Sequence, residues 1–165
     1  MTEESQKKRG EPKYYGARKI LFQKEGFAIW VPSNWYKTPM KKGHTGVICS
    51  PYKDNLNTSF TAKKVILKYK VKPEDLPILK EGFEQGLQSL PGIEIESTKY
   101  EALTLFVTME ARFTFLEDGV RRKRWVRNIY WGEGQLIFIA QGETVEEFEY
   151  WEPMFFNTMM TFEFV

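Results

Sequence analysis

His44 and Cys49 are the only histidine and the only cysteine of the chain, and they stand five residues apart. An imidazole within reach of a thiol can take its proton and leave a nucleophilic thiolate. The flanking residues argue against that chemistry. His44 lies in "KKGHTG", a loop composition, whereas Cys49 lies in the apolar run "GVICS", where a free cysteine is most often a packed core thiol. One histidine has no second ligand at metal spacing, and one cysteine makes neither an intramolecular disulfide nor a four-cysteine zinc site. Glu146 and Glu147 offer paired carboxylates, but they fall at an expected helix start, where the helix dipole accounts for them. There is no glycine-rich phosphate loop and no G-x-S-x-G elbow. These residues lead us to expect no catalytic residue, no metal and no cofactor.

The stretch that does suggest a partner is "RRKRWVRNIYW", residues 121 to 131, with five basic and three aromatic side chains. A platform for single-stranded nucleic acid needs aromatic and basic groups exposed on one face. The preceding turn decides which residues share a face. A two-residue Asp118-Gly119 turn would set Phe113 opposite Arg124 and Phe115 opposite Arg122. A three-residue Glu117-Asp118-Gly119 loop would pair Leu116 with Val120, Ala111 with Trp125 and Val107 with Ile129. Burial of one apolar face favours the second. On that register Trp125 enters the core and Glu110 lies diagonal to Arg124. Arg122 and Arg124 then project on the opposite, exposed face as candidates for an anionic partner. Arg127 shares the core parity and must find a sheet margin or an acid. Nucleic acid is disfavoured.

Charge is uneven along the 165 residues. Nine lysines and one acid, Asp54, occupy residues 37–72, while six glutamates and no basic residue occupy 143–163. Such asymmetry either steers an anionic partner to one face or marks two solvated surfaces. A net charge of +2 is too small to imply nucleic-acid binding by itself. No apolar run reaches the roughly 20 residues of a membrane span. The polar start "MTEESQKKRGEPK" has no leader-like apolar core, from which a cytoplasmic protein is expected.

The elements that would position these residues are mostly strands. Residues 1 to 13 read as a disordered tail, followed by one domain over 14–165. Runs 19–23 and 27–31 form strands joined by Lys24-Glu25-Gly26, and Pro32 ends the second. Strands follow at "GVICS", "SFTAKKVILKYKV", "IEIEST", "YEALT", "LFVTMEARFTF", the basic run, and "GQLIFIAQ", whose apolar continuity suggests cover on both faces. Leu76, Leu79, Phe83, Leu87 and Leu90 form one helical stripe, with Gly82 and Gly86 free to permit a close neighbour. Thr144 and Glu147 have capping-box spacing before a helix lined by Phe148, Trp151, Phe155 and Met159. Pro153 would kink that helix or mark a restart, and a short strand closes the chain. The pattern predicts an α+β domain, an antiparallel sheet with helices packed on it.

The chain resembles the PsbP-like superfamily. The resemblance lies in "GFAIWVPSNWYK", in "DNLNTSFTAKKV", in the mid-chain helix, in the paired long strands and in the closing "TFEF", over residues 20 to 165. That superfamily includes the photosystem II P subunit, a nucleotide-release factor for the Ran GTPase, bacterial DcrB-type proteins and Eag effector chaperones. The resemblance implies an antiparallel β-sheet sandwiched between helices, and a non-enzymatic protein-binding, assembly or chaperone-like role with no shared catalytic residues. A protein partner is expected and homo-oligomerisation is left open. Trp35 and Tyr36, just beyond Pro32, are candidate exposed anchors, with Trp35 alternatively folded back onto the core. A small-molecule or lipid-headgroup binder, or an enzyme without a recognisable motif, is the alternative.

Overall fold

The computed structural model describes residues 9–165. Its strand formers assemble a seven-stranded antiparallel sheet from β3 (Tyr36–Pro39), β4 (Thr45–Ser50), β5 (Ser59–Ile66), β6 (Glu94–Ala102), β7 (Val107–Glu117), β8 (Val120–Trp131) and β9 (Gly134–Gly142). The order across the sheet is β3-β4-β5-β9-β8-β7-β6. A smaller sheet, ordered β1-β2-β10, contains β1 (Ala17–Phe22), β2 (Phe27–Pro32) and β10 (Glu163–Phe164). Helix α1 (Leu76–Gln88) follows a 3-10 turn at Pro73–Asp75, and α2 (Val145–Met160) follows β9.

The two helices take opposite faces of the large sheet. Leu76, Leu79, Phe83 and Leu87 of α1 pack on Val107, Met109, Ala111 and Phe113 of β7. On the other face Phe148, Phe155 and Met159 of α2 join Ile29 and Val31 of β2 over Phe60, Trp125 and Phe138. Gly142 makes the second packing possible, since a Cβ there would stand 2.3 Å from the Phe148 nitrogen. The result is an α+β fold in which an antiparallel sheet lies between helices, as the strand-helix pattern predicts.

The β7–β8 hairpin takes the register that the sequence reading set aside. Asp118 (φ 52°) and Gly119 (φ 74°) make a two-residue turn with both residues left-handed, and Glu117 pairs with Val120. Both dihedrals are those of a type I′ turn, whose twist matches its strands. Phe113 therefore faces Arg124, Phe115 faces Arg122, and Ala111 faces Val126. The reading failed at its premise that one face alone is buried. Here Phe113 and Phe115 are buried on the α1 side, and Trp125 and Ile129 on the α2 side. Parity of apolar residues therefore cannot select between the two turns.

Smaller departures have local causes. Phe22 pairs with Phe27, so the first hairpin has four loop residues, closed by Gly26 (φ 82°) donating to the Phe22 carbonyl. The fifth strand of the chain stops at Ile66, and β6 runs unbroken through 94–102 with a bulge near Ser97. Among the described residues, nothing lies within 4 Å of a would-be Cβ at Gly82 or Gly86, so the close neighbour expected there is not seen. Helix α2 is continuous through Pro153. Of the tail expected over residues 1–13, the first eight lie outside the described residues.

Candidate functional site

All five basic residues of 121–131 have partners within the molecule. Arg121 lies 3.8 Å from Glu94, Arg122 3.0 Å from Glu117, and Lys123 3.0 Å from Glu96. Arg124 donates to Gln141 at 2.9 Å and lies over the Phe115 ring, while Arg127 lies 3.7 Å from Glu110, its direct cross-strand neighbour. Arg127 thus meets the acid its parity demanded. Arg122 is only 5% exposed, and burial lowers the pKa of Arg124. The expected exposed pair is therefore corrected: Arg122 is engaged by Glu117 and the Glu143 carbonyl, and Arg124 by Phe115 and Gln141 of β9. Trp125 is 1% exposed, with Arg112 over its ring, and offers no stacking platform.

Trp35 folds back onto the core at 3% exposure, edge-on to Trp151 and Phe155, while its neighbour Tyr36 is exposed on the edge strand β3. Cys49 is fully buried in the core under α2, and burial pushes its thiol up to about 11. His44 is exposed in the β3–β4 turn. Five strand residues at about 3.4 Å each put roughly 17 Å between them, far beyond proton transfer. Among the described residues, no group of three or more His, Cys, Asp or Glu is placed to hold a metal ion.

The open cationic surface lies elsewhere, at the sheet end where β5 and β8 stop. After Ile66 the chain is tied twice to the β8–β9 turn, by Leu67 N to Glu133 O at 2.7 Å and Val71 N to Gly132 O at 2.9 Å. Val71 is buried between these ties and α1's cluster. Lys68, Tyr69 and Lys70 are left exposed between the two anchors. Lys64 follows the core parity of Phe60 and Ala62, but at the strand's end its ammonium emerges. It donates to the Glu25 carbonyl at 2.6 Å and rests 5.1 Å from the Trp131 ring centre.

These residues frame a cleft of about 570 Å³. Lys24, Lys64, Lys70 and Lys72 rim it, with Glu25 as the one acidic side chain lining it among the described residues. Its floor is aromatic: Phe106 stacks on Phe164 at 5.3 Å, and Trp131 meets Phe164 at 5.0 Å. The β6–β7 turn, closed by Leu103 N to Phe106 O, holds Leu105 at the mouth with 73% of its surface exposed. Lysines over a low-dielectric floor focus positive potential. Exposed leucine and aromatic edges add apolar area. The Lys-rich segment 37–72 is therefore not one surface: Lys64, Lys70 and Lys72 gather here with Lys24, while Lys53 lies in the β4–β5 loop at the opposite end. Sequence reading missed Lys24, Trp131 and Phe164 as members of one cleft, since only the folded sheet end brings them together.

No protein-family model and no curated protein matches the chain by sequence. Its structure, in contrast, is similar to solved ones. A cyanobacterial PsbP from Synechocystis sp. PCC 6803 superposes at a TM-score of 0.64 with 11% identity, covering 94% of this chain and 96% of that one. LpqN of Mycobacterium tuberculosis, involved in cell envelope biogenesis, gives 0.60 with 13% identity and 88% of each chain. PA94 of Pseudomonas aeruginosa, described as a putative regulator of unknown function, gives 0.53 with 13% identity over 88% of this chain and 95% of that one. These comparisons correct the expectation of a cytoplasmic protein. The fold is carried by a protein of cell envelope biogenesis, and a polar first stretch does not place this chain in the cytoplasm. The antiparallel sheet between two helices, its strand order and these superpositions together identify the fold as PsbP-like.

Proposed function

We propose that this protein is a non-enzymatic binding module, of an assembly or chaperone-like kind, and that the lysine-rimmed cleft docks an acidic segment of a protein partner. One observation carries the reading. Among the described residues, four lysines surround an aromatic floor with a single acidic side chain, whereas the basic run of β8 is consumed by internal partners. A partner segment with carboxylates flanking one or two apolar side chains complements such a surface, through steering by charge and anchoring by the apolar contact. A putative regulator and an envelope-biogenesis protein share the fold, which is in keeping with a binding role.

The test is affinity capture from the source organism with three baits: the wild type, Lys70→Glu with Lys72→Glu, and Lys53→Glu at the other end of the sheet. A protein held by the wild type and Lys53→Glu but lost from the double variant supports the reading. Equal capture by all three removes it. An anionic amphiphile is the second reading, favoured by a cleft volume within the roughly 300–1,000 Å³ of small-molecule sites. Stabilisation of the wild type, but not the double variant, by a fatty acid or anionic lipid headgroup would select it.

A further inference from the structure

At the opposite end of the sheet a carboxylate is held ready for a cation. Glu147, in the first turn of α2, has a side chain only 14% exposed. Its backbone nitrogen donates to the Thr144 cap at 3.1 Å, but its carboxylate does not close the expected reciprocal box. Instead it accepts from the Tyr52 hydroxyl at 2.8 Å and the Trp151 indole nitrogen at 3.2 Å. These two neutral donors come from the β4–β5 loop and from α2 itself. They orient the carboxylate without neutralising it. Burial holds the Tyr52 hydroxyl above its ordinary pKa, so it remains a phenol. Tyr52 and Tyr150 each meet Trp151 edge-on, at 6.2 and 4.9 Å.

The chain's own Arg9 fills this socket. Its guanidinium lies 3.6 Å from the Tyr150 ring centre and 5.7 Å from that of Trp151, while its nitrogens donate to Glu147 and to the Tyr52 hydroxyl. A planar fork stacked on an aromatic face and paired with a carboxylate is arginine's mode of binding, and a lysine reproduces only part of it. The segment that delivers Arg9 is lightly held. Its backbone is pinned at Gly16, whose carbonyl accepts from Ser33 N, and at Tyr15, whose carbonyl accepts from the Ser33 hydroxyl. Contacts of this kind open locally at small cost.

We propose that the Glu147–Tyr52–Tyr150–Trp151 socket is an arginine-recognition site, filled in cis by Arg9 and open to the arginine of a basic partner segment when Arg9 leaves. The short tether gives Arg9 an effective concentration in the millimolar range, which an external arginine must overcome. The Trp151 indole N–H resonance reports occupancy directly. With acetyl-arginine amide as the probe, Arg9→Ala should show saturable shifts of that resonance, with an affinity at least tenfold above that of the wild type. Acetyl-citrulline amide, equal in shape but neutral, should leave it unmoved. Glu147→Gln added to Arg9→Ala should abolish the response while the Thr144 cap keeps the helix folded, as circular dichroism would show. Equal response of Arg9→Ala to arginine and citrulline, or none to either, overturns the site. Sedimentation separates the two sources of the bound guanidinium. Equal mass for wild type and Arg9→Ala supports the cis assignment, and a wild-type dimer dissolved by Arg9→Ala overturns it by giving the arginine to a second copy.

Discussion

The two ends of the large sheet handle charge in opposite ways. At one end the β7–β8 turn, the β4–β5 loop and the start of α2 bring together Glu117, Glu143 and Glu147 with Arg122, Arg124 and Arg9, and these cations are all internally engaged. At the other end Lys24, Lys70 and Lys72 rim the cleft over aromatic side chains with Lys64, which is tied to the Glu25 carbonyl. The densest basic run in the sequence therefore makes the least available surface. Dispersed lysines, separated by up to 48 positions between Lys24 and Lys72, make the more available one. Cation density along a chain measures neither exposure nor readiness to bind, because a strand alternates its side chains and a sheet supplies them with cross-strand partners.

That contrast can be broken at several points. Trp125→Ala, in the middle of the basic run, should cost about 3–5 kcal/mol of stability as a large aromatic lost from the core, measured by denaturant unfolding. A loss near zero would return the run to a surface role. Arg122→Ala should cost about 1–2 kcal/mol, since it removes the buried donor to the Glu143 carbonyl, while the half-exposed Glu117 carboxylate turns to water. An unchanged midpoint would show that the cation is not engaged. Cys49 sharpens the same end through pH. Its thiol is raised from 9.0 to about 11 by burial, so the folded state favours the protonated form. The stability from this group is complete below pH 9 and is lost as pH rises through 11. Cys49→Ser should flatten that part of the profile, and thiol-reactive dye should label native protein only at the rate of unfolding. Lys70→Glu with Lys72→Glu should move stability by no more than about 0.5 kcal/mol, as exposed substitutions do. A thermal shift larger than that would place these lysines in structural pairs and remove the contrast between the ends.

Much of the fold was legible because periodicity reports burial. The α1 stripe from Leu76 to Leu90, the Thr144 cap, the face from Phe148 to Met159 and the closing strand all appear where spacing and capping chemistry place them. What remained illegible depended on long-range cover. β3, four residues with one half-buried position, has too little pattern to announce a strand. The β7–β8 register was obscured because both faces are covered, so apolar residues of either parity suit the core. The cleft was harder still, since its rim and floor come from the β1–β2 loop, the end of β5, the two β-turns and the last strand. Lys64 shows the difficulty in one residue. Its parity reads as core, and only the end of the strand explains how its charge escapes to the surface.

The separation of charge also bears on how the molecule behaves among others. A net charge of +2 suggests near-neutral handling, yet one pole of the sheet gathers four lysines around a cleft, while a hollow at the other is lined by Asp54, Glu143, Glu146, Glu147 and Glu149 with Arg9. A cation-exchange resin at neutral pH would hold it by the lysine pole, with retention far above that of a protein whose two net charges were scattered. Salt would weaken that retention, since the Debye length shortens to about 8 Å near 0.15 M.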